Sequence, residues 1–160
     1  MAAEALAGQA LALMEQSLPS GFYLLEAYSA VVEVYLARWE SRSELPPRER
    51  RECSRRLYRA LRVLGQYATM FAIGRPRAWQ LFGRFAAQTP LPWLAHAAWL
   101  GGLRAAERLG MPYEEARLCY EIGRHATGAR RAQHLGRAIH IFGRLGAHAD
   151  EADARQAARR

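Results

Sequence analysis

Three glycines, Gly74, Gly110 and Gly146, are spaced 36 residues apart, and each directly follows an aliphatic residue that ends a helical pattern. Glycine in this position favours a left-handed helix end, and a proline just beyond it favours the start of the next helix. Pro76 and Pro112 follow two of the three glycines in this way. A fixed period of about 20–50 residues is typical of arrays of repeated structural units. The spacing therefore predicts stacked helix–turn–helix units.

The helical segments between these glycines also repeat. A first pattern of large and small residues recurs after 40 residues, as Trp79, Phe82, Gly83 and Ala86, then Cys119, Ile122, Gly123 and Ala126. The following helix carries a second pattern that recurs after 36 residues, as Ala95, Trp99, Gly102 and Leu103, then Arg131, Leu135, Ala138 and Ile139. Glycine inside a helix costs up to about 1 kcal/mol relative to alanine. We therefore interpret the small positions as points where a neighbouring helix approaches closely.

At these residues the chain resembles the tetratricopeptide family of helix–turn–helix repeats. Two departures from that family are visible: Arg131 stands where a small residue is expected, and the units exceed the family's length of about 34 residues. Residues 109–116 and 138–147 are further similar to the last repeats of large bacterial ATP-dependent signalling regulators, such as transcription activators and adenylyl cyclases fused to ATPase modules. The resemblance covers roughly residues 75–158 and lends this chain no catalytic or nucleotide-binding residue.

Together, pattern and resemblance predict an all-α fold, a right-handed superhelix of antiparallel helix hairpins. About eight helices are expected, over residues 2–17, 22–41, 48–72, 76–88, 92–109, 113–126, 130–146 and 148–159. No linker divides the chain, so residues 1–160 are expected to form one tetratricopeptide-like domain, which the resemblance makes the C-terminal part of a larger protein. A cytoplasmic location is expected, since no apolar run reaches the roughly 18 residues of a membrane span. Cys53 and Cys119 are expected to be buried, reduced thiols.

The segment 22–41 is apolar around most of the helix, except for a narrow stripe that includes Glu26, Ser29 and Glu33. A helix of this character is expected to lie between neighbours rather than on a surface. The acidic stripe, with Glu26 and Glu33, has two readings. It lines a groove that receives a basic ligand, or it is a solvated edge that balances nearby arginines.

The segment 48–72 has a strongly basic face. Five arginines fall within an arc of about 80° at 100° per residue: Arg48, Arg51, Arg55, Arg59 and Arg62. The opposite face is apolar, and only Glu49 and Glu52 are expected to be near enough to offset the charge. The planar guanidinium fork suits carboxylates and phosphates, so this face is a candidate site for an acidic partner.

The charge alone does not select the partner. The chain has a net charge of +8, and every basic residue other than histidine is arginine. Binding of nucleic acid through phosphates remains an alternative, although no recognition helix or zinc framework supports it. A solvated face with no partner is the third reading, because a lysine-free composition also follows from a coding bias towards arginine.

No pattern for catalysis, metal or cofactor binding is evident. The histidines lack the spacing of metal ligands, the chain has no phosphate-binding Gly-Lys motif, and no nucleophile elbow occurs. Three tryptophans, Trp79, Trp93 and Trp99, are expected to be core anchors, with the walls of a small-molecule pocket as the alternative.

We therefore expect a non-catalytic protein-interaction or effector-binding scaffold, a regulatory or sensor module of a bacterial signalling protein. Its partner would be a protein or peptide in the superhelical groove, or the ATPase or cyclase modules of the parent protein. An arginine-rich nucleic-acid-binding protein and a small-molecule sensor with an aromatic pocket are the alternatives. Exposed apolar surface near the N-terminal end also allows self-association.

Overall fold

The computed structural model describes residues 2–160, which are almost entirely helical. Eight α-helices follow in order: α1 (Ala2–Gln16), α2 (Leu25–Glu40), α3 (Pro47–Met70), α4 (Arg75–Ala86), α5 (Pro92–Leu109), α6 (Pro112–His125), α7 (Gly128–Leu145) and α8 (His148–Ala158). Three short 3₁₀ helices lie at Phe22–Leu24, Arg42–Glu44 and Ala72–Gly74. Residues 2–160 contain no β-strand. The prediction of an all-α chain with eight helices is confirmed, and the predicted ends are within a few residues.

Glycine and proline set several of these helix boundaries. Gly110 and Gly146 follow α5 and α7 with φ of 62° and 69°. After each glycine the chain turns back on the helix: the Met111 N–H donates to the Ala106 carbonyl and the Ala147 N–H to the Phe142 carbonyl, both at 3.0 Å. These bonds form a Schellman cap, which satisfies carbonyls that the helix end leaves open. The prediction of left-handed helix ends is confirmed at both glycines.

Gly74 does not share this role, and the prediction for it is wrong. It lies in the 3₁₀ helix Ala72–Gly74, and its φ is not positive. It is buried, and a Cβ at this position would be 2.8 Å from the ring of Tyr67. Glycine is therefore needed here for space, because the Tyr67 ring lies directly against the backbone.

The helices group into two compact units, one that extends to Leu81 and one from Phe82 to Arg160, with the boundary inside α4. The expectation of a single domain stays a prediction. In the first unit α2 packs between α1 and α3, and its core includes stacked rings. The ring centroids of Tyr28 and Tyr67 are 4.9 Å apart, and those of Tyr67 and Phe71 are 5.1 Å apart. The Tyr67 hydroxyl donates to the Phe22 carbonyl at 2.6 Å, which satisfies its polar end.

In the second unit each of α6, α7 and α8 packs on the helix before it, and α6 also contacts α8. The core of this unit comprises Ala86, Ala95, Trp99, Leu103, Ala106, Ala116, Leu118, Cys119, Ile122, Ala138, Phe142 and Ala154. Half of these side chains are alanines, which lets the helices approach closely while a few large side chains fill the space between them.

The repeated pattern of small and large residues has a direct structural counterpart. A Cβ added to Gly83 would be 2.1 Å from the indole nitrogen of Trp99, and one added to Gly123 would be 2.7 Å from Cγ of Leu135. Trp99 and Leu135 occupy equivalent positions in the two copies of the second pattern. The predicted close approach at the small positions is therefore confirmed for both glycines.

The expectation of core anchors holds for only one of the three tryptophans. Trp99 is 1% exposed, whereas Trp79 is 45% and Trp93 is 65% exposed. Trp93 follows Pro92 in the first turn of α5. Repeat position alone therefore does not predict burial near a helix end.

Arg131, which departs from the small residue expected in α7, joins three helix segments. Its Nη1 donates to the carbonyls of Gly123 and Arg124, at 3.4 and 3.3 Å, and its Nη2 donates to the carbonyl of Ala157 at 2.5 Å. These carbonyls lie in the last turns of α6 and α8, where helices leave acceptors without intrahelical partners. A cation at a helix C-terminus is also favourable for the helix dipole. At this position the arginine therefore does not allow a close helix approach, as a small residue would. Instead it caps the C-terminal ends of α6 and α8 together.

We expect Gly83→Ala to lower the free energy of unfolding by about 1–3 kcal/mol, because the rigid, buried indole of Trp99 cannot yield to the new methyl group. Gly136→Ala in α7 is the control, since nothing lies within 4 Å of its Cβ position. That variant should be more stable by up to about 1 kcal/mol, the difference in helix propensity. Urea denaturation measures both values. A Gly83→Ala variant as stable as wild type would contradict the close contact.

We expect Arg131→Met to lower the free energy of unfolding by about 1–3 kcal/mol, because it removes the charged donor that the carbonyls at two helix ends share. Arg144→Met removes the same charge from the same helix at an exposed position. It should change stability by less than about 0.5 kcal/mol. Thermal or urea denaturation compares the pair, and equal losses would argue against the shared cap.

Candidate functional site

The five arginines predicted to bind a partner all lie on the exposed side of α3, and we call this set the arginine face: Arg48, Arg51, Arg55, Arg59 and Arg62. The opposite side of α3 buries apolar residues, including Leu57 and Leu64. The predicted two-faced character of this helix is therefore confirmed. The arginines are not equivalent, however, because acidic residues contact only some of them.

The C-terminal part of the arginine face is paired with a carboxylate from α1. The Nε of Arg59 donates to Oε1 of Glu15 at 3.0 Å, and a second, short bond joins Arg59 Nη2 to Oε2. Arg62 lies 3.4 Å from the same carboxylate. The Arg59 hydrogen bonds hold the pKa of Glu15 below its ordinary value of 4.5. Two arginines therefore share one acidic partner within the chain.

The middle of the face is paired locally. Oε2 of Glu52 accepts from Arg55 at 2.6 Å, and Oε1 accepts from Arg56 at 2.8 Å. The hydrogen bond from Arg56 is the main cause of a lowered pKa for Glu52. Glu49 instead pairs with Arg38 of α2 at 3.0 Å.

The prediction that only Glu49 and Glu52 offset the arginines was therefore wrong. Glu49 pairs outside the arginine face, and Glu15 was missed. No sequence signal indicated that the end of α1 would lie beside α3, because that contact depends on packing 44 residues apart.

The N-terminal part of the arginine face is the open part. Arg48 and Arg51 are exposed and form no ion pair or hydrogen bond with any residue from 2 to 160. They lie in the first turns of α3, where the helix dipole is itself positive and disfavours additional cations. An external carboxylate or phosphate would be stabilised at this end by both the side chains and the dipole.

The acidic stripe on α2 faces a basic side chain from α4. Nη2 of Arg77 lies 3.4 Å from Oε1 of Glu33 and 3.9 Å from Oε2 of Glu26. The Arg77 side chain is only 7% exposed, whereas Glu26 remains largely exposed. Ser29, assigned to the same stripe, is buried. The chain thus supplies an arginine partner for both glutamates, in line with the second reading of the stripe, although the sequence did not single out Arg77. A role for Glu26 and Glu33 in binding an external partner stays a prediction.

Apolar side chains are exposed on α1. Leu6 and Leu13, two turns apart, are each 67% exposed. Leu18, just beyond the end of α1, is also exposed. Self-association through this region stays a prediction.

The thiols offer little reactivity in the folded protein. Cys53 and Cys119 are free and buried, as predicted. Burial raises the pKa of Cys119 to about 12 and also raises that of Cys53. The thiolate, which is the reactive form, is therefore scarce at neutral pH. Across residues 2–160, no cluster of three or more histidine, cysteine, aspartate or glutamate side chains is arranged to hold a metal ion.

Comparisons with known proteins gave no match to a family model, to a curated protein or to a solved structure. In the part of the chain that the structure describes, every helix is too short or too polar to cross a membrane.

The pairing of Glu15 predicts a pH-dependent contribution to stability. Since the folded protein holds the pKa of this carboxyl below 4.5, the ionised form stabilises the fold above that pH, and the contribution is lost as the pH falls through the lowered pKa. At neutral pH, Glu15→Gln should lower the free energy of unfolding by about 1 kcal/mol, a small value because Arg59 is half exposed.

This difference between Glu15→Gln and wild type should shrink towards zero in acid. Urea denaturation over a pH series measures it. Glu44→Gln is the control, because it removes an exposed carboxylate outside these ion pairs. A difference that is equally large at neutral and acid pH would contradict a stabilising carboxylate at position 15.

Proposed function

We propose that this chain is a non-catalytic binding module that docks an acidic protein partner on the arginine face. The partner would contact Arg48 and Arg51 first and then compete with Glu52 for Arg55. The observation that carries the proposal is the pair of exposed arginines without acidic partners at the start of α3. Guanidinium groups bind carboxylates through two parallel hydrogen bonds, which gives direction as well as attraction.

The distribution of paired and open arginines favours a protein over a nucleic acid. A phosphate backbone gains affinity from a long, continuous track of cations. Here Glu15 occupies the C-terminal part of the track and Glu52 its middle. The remaining open charge is short and suits a few carboxylates on a partner surface.

The proposal includes the wider architecture expected from the sequence. We place the helices in antiparallel hairpins that stack as a right-handed, tetratricopeptide-like superhelix. The capped turns at Gly110 and Gly146, and the repeated glycine contacts at Gly83 and Gly123, support this arrangement. The module would be a regulatory part of a larger cytoplasmic signalling protein, and the acidic partner would belong to its ATPase or output modules or to a separate protein.

We expect the double variant Arg48→Glu/Arg51→Glu to bind a fluorescein-labelled polyglutamate peptide at least about tenfold more weakly than wild type in fluorescence anisotropy. The matched control, Arg108→Glu/Arg144→Glu, changes the net charge equally at exposed positions outside the arginine face. Its affinity should fall by less than about threefold, because only the long-range field changes. Glu15→Gln, which frees Arg59 and Arg62, should bind the peptide more tightly.

Equal losses for the two double variants would show that the peptide senses net charge only, and would overturn the proposed site. A single-stranded oligonucleotide of matched charge forms the second arm of the test. Tighter binding of the oligonucleotide than of the peptide, with a steep salt dependence, would replace the acidic protein by nucleic acid. Circular dichroism confirms that each variant keeps its helices.

A further inference from the structure

The second unit contains an open cavity of about 500 Å³. Of the three tryptophans considered as walls of a small-molecule pocket, Trp99 lines this cavity, whereas Trp79 and Trp93 do not. Side chains from α5, the end of α6 and the start of α7 line it, including His96, Trp99, His125, Thr127 and Arg130. Small-molecule sites in proteins typically measure about 300–1,000 Å³ and combine an apolar wall with a few convergent polar groups. The cavity has this composition, since alanine and proline side chains form the rest of its wall.

Three polar groups of the cavity suit a negative ligand: the Arg130 guanidinium, a ring N–H of His96 and the Thr127 hydroxyl. His96, His125 and Arg130 come from three different helices, and no carboxylate is among the residues that line the cavity. Arg130 is exposed and forms no ion pair within residues 2–160. Thr127 makes no side-chain capping bond at the start of α7. The positive end of the α7 dipole is therefore not covered by this side chain, and it also attracts a negative ligand.

The wall of the cavity suits a planar group. The rings of Trp99 and His125 have centroids 4.6 Å apart and planes inclined by 36°. Nδ1 of His125 lies 3.0 Å from the Glu121 carbonyl, so Nδ1–H donates to that oxygen and fixes the ring orientation. In the neutral ring the other nitrogen, Nε2, is then an acceptor, so His125 contributes its ring face to the cavity rather than a donor to an anion. Trp99 itself is held in place by Gly83, which leaves no space behind the indole.

We infer that this cavity binds a small organic anion, a planar ring that carries a carboxylate or a phosphate group. The ring packs beside His125, which itself lies on the buried indole of Trp99. The anionic group contacts Arg130, with His96 as a second donor. This site does not rest on the arginine face, which lies in the first unit, and it gives the module an effector site separate from its partner site.

The experiment titrates three related probes into the protein: naphthoate, naphthyl phosphate and uncharged naphthalenemethanol. The signal is the indole N–H resonance of Trp99 in a ¹H–¹⁵N spectrum, assigned with the variant Trp99→Phe. We expect saturable shifts with at least one anion, and at least about tenfold weaker binding of the alcohol. The preferred anion identifies the recognised group as carboxylate or phosphate.

Variants then localise the anion. Arg130→Gln and His96→Gln should each weaken binding of the preferred anion by about tenfold or more, whereas Arg144→Gln, on the same helix but outside the cavity, should leave it unchanged. Both side chains line the cavity, and the dispersion of the ¹H–¹⁵N spectrum checks that each variant keeps its fold. The inference is overturned if neither anion gives a saturable shift, if the alcohol binds as tightly, or if Arg130→Gln and Arg144→Gln lose affinity equally.

Discussion

The second unit depends on two places where a helix backbone lies directly against a bulky side chain. Gly83 meets the indole of Trp99, and Gly123 meets Leu135. Any side chain at either glycine would separate the helices and open gaps around the alanines of the core. The same contact also holds Trp99 in the orientation in which it forms the wall of the cavity. Close packing and the candidate effector site are thus two results of one constraint.

Charge in the first unit is organised by contacts between helices rather than by the sequence of α3 alone. The five arginines of the arginine face lie on successive turns of α3, so they would repel one another without acidic residues nearby. Glu15 and Glu52 supply these for the later part of the face, and Arg48 and Arg51 remain open. The partner site is therefore defined as much by where the acidic residues lie as by where the arginines lie.

Local signals predicted the helices well, and long-range contacts account for the errors. Proline and glycine fix helix ends through backbone geometry, so the start of α6 at Pro112 and the end of α7 before Gly146 could be predicted from the sequence. Gly74 looked identical in the sequence, but its role depends on the ring of Tyr67, which only the packed structure brings near. The pairing of Glu15 with Arg59 likewise requires the relative placement of α1 and α3. A pocket walled by Trp99 was an alternative from the sequence, but the polar residues of the cavity were missed because they come from three helices with no shared motif.

The Schellman caps at Gly110 and Gly146 have a kinetic consequence. Each reverses the chain with bonds among neighbouring residues, and each of α6, α7 and α8 packs on the helix just before it. Most native contacts of this unit thus join segments that are close along the chain. Proteins with such low contact order fold in about microseconds to milliseconds, because little loop-closure entropy is lost before contacts form. Assembly of this unit can therefore proceed by successive docking of adjacent helices, with little search among distant segments.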